Sequence, residues 1–172
     1  MKTKALIRSM SRRGSRSDMS PRVARKGPEP RAGTVCERCG AVFSRRMWRR
    51  DRPLTHARLA AATWGTCPGC EQAREGEYYG RVLVRGAWLA TNEDAVRRRI
   101  LNVAARARAT QPERQLVSVS RQDGGLEVLT TSQKLAHRIV HELKKAFRGR
   151  TSYAWSDRDG SLEATWRRDG AA

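Results

Sequence analysis

Acidic residues, aromatic residues and long apolar runs are all scarce in this chain, and cysteine is confined to four positions. Only 17 Asp and Glu stand against 36 Lys and Arg, a net charge of +19 over 172 residues. No apolar stretch approaches the roughly 18 residues of a membrane span, and mean hydropathy is −0.73, so a soluble protein with no membrane partner is expected. Near the N-terminus the longest apolar run, Ala5-Leu6-Ile7, ends at Arg8. That is short of the roughly 7–15 residues at the centre of a secretory signal. The expected location is the cytoplasm, where disulfides are rare. Histidine occurs three times, and no Ser-His-Asp set, carboxylate pair or phosphate-cradling loop is recognisable. The sequence therefore argues against an enzyme.

The four cysteines form two C-x2-C pairs, Cys36-Glu-Arg-Cys39 and Cys67-Pro-Gly-Cys70. Such a pair lets two thiolates reach one metal ion without backbone strain, and two pairs complete a tetrahedral zinc site. The intervening loop, Gly40 to Thr66, has 27 residues, more than the common spacing of about 15–20. Loop-closure cost grows only logarithmically with length, and metal binding offsets it. One structural zinc ion on Cys36, Cys39, Cys67 and Cys70 is expected. Disulfides would need an oxidising compartment, and a thioredoxin-like redox pair would open a helix, whereas Pro68-Gly69 favours a turn. His56 is a substitute ligand that four thiolates make unnecessary. A four-thiolate site has no open coordination position, so such a zinc holds a fold and activates no water.

The charge implies a polyanionic partner. Of the basic residues only six are lysine. Guanidinium groups bind phosphate bidentately and stack on bases, although arginine preference also follows genome composition. Residues 1–33 hold ten basic and two acidic residues, residues 34–80 eight and five, and residues 81–172 eighteen and ten. The first segment has almost nothing apolar to bury and reads as a disordered basic arm.

Residues 34–79 read as a four-cysteine zinc ribbon. Gly40-Ala-Val-Phe43 suggests a strand leaving the first knuckle, with Val42 and Phe43 able to cover the metal. Arg45, Arg46, Arg49, Arg50 and Arg52 surround Trp48. The ring could stack on a base while the arginines meet phosphates, or it could serve as the main hydrophobe of the module.

Residues 80–168 carry regular patterning. Arg81–Arg85 and Ala87–Leu89 read as extended segments around Gly86. Asn92 is a plausible N-cap for a helix over 93–109 with Val96, Ile100, Val103 and Ala107 on one face. Strands over 115–120 and 126–131 join across Asp123-Gly124-Gly125. Ser132 can cap a helix over 133–148, and strands over 152–155 and 162–167 close the chain, with Tyr153, Trp155 and Trp166 as cross-strand aromatic partners. The order β-α-β-β-α-β plus one strand predicts an α+β domain of the ferredoxin-like, split β-α-β kind: two helices on one face of an antiparallel sheet.

On the second helix Lys134, Arg138, His141, Lys145 and Arg148 recur at spacings of 4, 3, 4 and 3. They form a basic stripe with no acidic residue, which Arg97, Arg98 and Arg99 could extend. A solvated helix face is the plainer reading. His137 and His141, one turn apart, have the spacing of metal ligands, but the only acid nearby, Glu142, faces elsewhere.

Several motifs in order resemble a family of small bacterial zinc-ribbon proteins of largely uncharacterised role: Cys36-Glu-Arg-Cys39-Gly40-Ala-Val-Phe43, Trp48, Cys67-Pro-Gly-Cys70, Gly80-Arg-Val-Leu, Asp123-Gly-Gly-Leu, Thr130-Thr131 and Leu135-Ala-His-Arg-Ile139. The resemblance covers roughly residues 34–168. The layout is also remotely similar to the N-terminal part of the Nmd family of export adaptors, which bind the large ribosomal subunit. That likeness implies ribosomal or structured RNA over DNA. The bacterial family's pattern would place an Asp and a His after the threonine pair, where Gln133 and Lys134 stand. No activity transfers from it.

The function expected is non-enzymatic RNA binding, associated with the ribosome or its assembly. The nucleic-acid contacts would come from Arg45, Arg46, Trp48, Arg49, Arg50 and Arg52 on the ribbon and from Lys134, Arg138, Lys145 and Arg148 on the second helix. A zinc-stabilised protein-interaction or regulatory module and a DNA-binding protein are the alternatives.

Overall fold

The computed structural model describes residues 29–50 and 53–170. All but the last five residues of the expected basic arm, and Arg52, lie outside the described residues. The described chain is α+β, with two mixed sheets and four helices.

The first unit contains β1 (Val35–Cys36), β2 (Val42–Ser44), β3 (Met47–Arg49), α1 (His56–Ala60), β4 (Trp64–Gly65) and α2 (Pro68–Glu75). Its sheet runs β3-β2-β1-β4, with β4 parallel to β1. Helix α2 differs from expectation, and α1 is an element the sequence patterning did not indicate. The Thr55 hydroxyl caps α1 by accepting from the Arg58 N–H, and Pro68 occupies the first turn of α2. Pro68-Gly69 thus opens a helix where a turn was expected, because proline's fixed φ suits the first helical position. Gly76, at φ +74°, ends it.

The second unit contains β5 (Gly80–Arg85), α3 (Leu89–Thr110), β6 (Leu116–Gln122), β7 (Gly125–Thr130), α4 (Gln133–Phe147), β8 (Arg150–Trp155) and β9 (Leu162–Arg167). Its core joins alternate residues of the three inner strands to both helices: Val82 and Val84, Leu126 and Val128, and Leu162, Ala164 and Trp166 meet Val96, Ile100, Leu135, Ile139 and Leu143. On the opposite sheet face Arg81 bonds Glu127 at 2.6 Å and Glu163 at 3.0 Å.

The sheet order is β6-β7-β5-β9-β8, and β9 runs parallel to β5. The sheet is therefore mixed, where an antiparallel one was expected. Strand composition explains the difference: β9 supplies three fully buried side chains and takes the inner position, while β8, with Arg150 and Ser152, goes to the edge. Tyr153 and Trp155 lie opposite Ala164 and Leu162, and Trp166 opposite Thr151, so the three aromatics are not direct cross-strand partners.

Helix α3 begins at Leu89, which converts the expected extended segment Ala87–Leu89 into a helix entry. Gly86, at φ +113°, turns the chain there. Asn92 does not cap the helix; its amide donates to the Trp88 carbonyl at 2.9 Å from within the first turn. Ser132 precedes α4 without a capping side-chain bond. Gln133 is buried and donates to the Gly160 carbonyl, tying the start of α4 to the β8–β9 turn. Among the described residues no helix is long and apolar enough to cross a membrane.

Candidate metal centre

Strand β1 ends in Cys36, and a turn through Gly40 brings the chain back, with the Cys36 N–H donating to the Ala41 carbonyl at 2.7 Å. Parallel pairing of Cys36 with Gly65 sets the second knuckle beside the first. The Cys67 N–H then donates to Cys36 Sγ at 3.3 Å. Cys70 falls in the first turn of α2, where the helix dipole favours negative charge.

The four sulfurs lie within 4.8 Å of one another, and all four side chains are buried. Tetrahedral zinc–sulfur bonds of about 2.3 Å imply sulfur separations of roughly 3.8 Å, and Cys39 Sγ and Cys67 Sγ are 3.6 Å apart. No disulfide links them. This donor set fits one tetrahedral ion such as zinc.

Packed this closely, the sulfurs act on one another. Sulfur hydrogen bonds from Cys39 and Cys67 hold the Cys36 thiol far below its ordinary range. The bond to Cys36 pushes Cys39 up to about 11. Bonds to Cys36 and Cys39, followed by burial, push Cys67 well up. Without a cation the cluster keeps protons, and a metal ion must displace them to bind all four thiolates.

The apolar cover differs from expectation. Ala41 and the half-buried Trp48 lie against the cysteines, whereas Val42 and Phe43 are buried outside that cluster. Phe43 supports Trp48, ring centroids 5.5 Å apart. His56 is exposed at the start of α1 and is not part of the sulfur cluster.

One partner of the site carried no sequence signal. Gln115, at the entry to β6, is 6% exposed. Its Nε2 donates to Cys70 Sγ at 3.2 Å and to the Pro112 carbonyl at 2.7 Å. Its main chain is held by Thr131, whose Oγ1 accepts from the Gln115 N–H at 2.9 Å. The second unit thus reaches into the sulfur cluster of the first. Gly69 makes the approach feasible, because a Cβ there would lie 2.6 Å from Glu113 Cα. Arg108 adds a bond to the Arg38 carbonyl, and Arg38 another to that of Cys70, each at 3.4 Å.

The residues expected to touch nucleic acid fall on two elements. Arg45 and Arg46 form the exposed two-residue tip between β2 and β3, with φ of +50° and +63°. Arg46 lies 3.4 Å from Glu29. Arg49 is half-buried beside the exposed Arg50. Lys134, Arg138, Lys145 and Arg148 are exposed along α4 and its C-cap. The expected extension onto α3 is reduced, because Arg97 bonds Glu93 at 2.7 Å and Arg99 bonds Glu142 at 2.5 Å.

Compared with protein-family models and with curated proteins, the chain matches none.

Proposed function

We propose that this protein is a non-enzymatic, cytoplasmic RNA-binding protein built on a zinc ribbon and associated with the ribosome or its assembly. The α4 stripe is the observation that carries the reading. Lys134, Arg138, His141, Lys145 and Arg148 are exposed, and the one acidic residue of the helix, Glu142, is turned to Arg99 of α3. Exposed cations in a row along one helix favour a polyanion such as the phosphate backbone. In this reading one zinc ion on Cys36, Cys39, Cys67 and Cys70 holds the ribbon, and Trp48 packs against the cysteines.

The ribbon hairpin adds support. Asn-Gly is the usual choice where both residues of a turn need positive φ, and arginine at each place costs on the order of 1 kcal/mol. Two guanidiniums are thereby displayed at an exposed tip. The resemblance to ribosome-binding export adaptors points toward ribosomal RNA.

Arg138→Glu/Lys145→Glu/Arg148→Glu should release the protein from RNA while its thermal transition and zinc content stay unchanged. Undiminished RNA retention by this variant would contradict the assignment of α4. Exposed Met47 and Trp64 on the ribbon favour a second reading, a protein-interaction module, whose partners would survive RNase digestion.

A further inference from the structure

Edge strand β8 shares one face with α4, and that face ends in aromatic rings that the core does not use. Register with β9 places Thr151, Tyr153 and Trp155 on the helix-bearing side, opposite Trp166, Ala164 and Leu162. Those β9 residues are at most 1% exposed, whereas Tyr153 is 38% and Trp155 48% exposed. His137 of α4 stacks on Tyr153, centroids 5.1 Å apart and planes 30° from parallel. Tyr153 and Trp155 are two residues apart on an extended strand, so their Cα atoms are roughly 7 Å apart. Two bases can lie there one after the other.

The surroundings select the occupant. One turn of α4 on either side of His137 are Lys134 and His141, with Arg138 adjacent and Lys144 two turns on, all exposed. Glu142 is held by Arg99. The exposed Asp157 and Asp159 of the β8–β9 turn follow Trp155, so the cations border the His137–Tyr153 end. Flat rings with cations along that end suit a chain of stacking bases joined by phosphates, and base–aromatic stacking tolerates any sequence. A duplex buries its base faces, whereas RNA loops and ends expose them.

We infer that His137, Tyr153 and Trp155 form a stacking shelf for unpaired bases of single-stranded RNA, with the adjoining cations of α4 on its phosphates. The inference rests on the RNA reading above and adds the form of RNA and the rings that hold it.

The test uses the full chain, loaded with zinc, titrated into a short fluorescent oligouridylate, the matching oligodeoxythymidylate and an RNA duplex at several salt concentrations. Tyr153→Ala/Trp155→Ala should weaken binding to the single-stranded RNA by roughly fivefold to 150-fold for each ring lost. The salt dependence should persist, duplex binding should stay unchanged, and Tyr153→Phe/Trp155→Phe should restore the affinity. Full affinity in the alanine variant, with loss in Arg138→Glu/Lys145→Glu, would overturn the shelf and leave the RNA reading standing. Tighter binding of the DNA strand would overturn RNA as occupant. If the wild-type chain binds none of the three probes, the RNA reading fails and the shelf with it. If the alanine pair instead abolishes a protein interaction that survives RNase, the shelf is a protein site.

Discussion

The two units of this molecule are held together by different physics. The α+β unit gathers eighteen buried side chains, from Val82 to Trp166, into one cluster, and each large apolar side chain contributes about 1.5–3 kcal/mol on burial. The ribbon's buried cluster is four cysteines and Ala41, with Trp48 against it. Nothing comparable in apolar area orders the ribbon, whereas a structural zinc ion supplies about 10–16 kcal/mol at neutral pH. A metal ion on the four cysteines would take the place of a core in the first unit, whereas the second unit's core is built of apolar side chains alone.

The largest expected effect breaks this contrast on the ribbon side. Chelation, or Cys67→Ser, should abolish hydrogen-exchange protection across 35–75 while leaving 96–107 and 126–143 protected. Simultaneous loss in both regions would show one cooperative unit. Metal affinity should rise with pH, because the protons that sulfur bonding keeps on Cys39 and Cys67 must leave on binding. A chelator-competition series across neutral pH measures the slope.

Next comes the other side of the contrast. Trp166 is fully buried and donates to the Arg148 carbonyl at 2.7 Å. Trp166→Ala should cost about 3–5 kcal/mol, read as a lower urea midpoint, with zinc still bound by the folded fraction.

The seam between the units gives a smaller effect. Gln115→Leu removes the bond to Cys70 Sγ and should weaken metal binding about tenfold to a hundredfold. An unchanged competition curve would make the two units energetically independent.

The smallest effect has opposite signs in stability and binding. Arg45→Asn/Arg46→Gly relieves two positive-φ arginines and should stabilise the ribbon by about 1 kcal/mol or more. RNA affinity should fall, which separates display of charge from fold in a single variant.

The cysteine cluster was legible in the sequence because four thiols in two C-x2-C pairs leave few arrangements. The alternating and helical patterns likewise placed β5 through β9 and both long helices within a few residues. Two helices had local signals as well: Pro68, read as part of a turn, and Gly76 mark the start and stop of α2, and Thr55, to which no role was given, caps α1. Other features had no local signal. Pairing of β5 with β9 depends on which distant strand buries more apolar surface. Gln115 lies 45 residues from Cys70, and nothing in its neighbourhood distinguishes it from any surface glutamine. The stacking of His137 on Tyr153 likewise joins two elements whose relative placement only the fold determines.

The most direct test of the functional account is sedimentation of the natively tagged protein through sucrose gradients at low and high salt, with and without RNase, with zinc measured in each fraction. The account predicts a zinc-loaded protein that travels with a ribosomal subunit at low salt and is released by high salt or RNase. A free, zinc-loaded protein at the top of the low-salt gradient would contradict it.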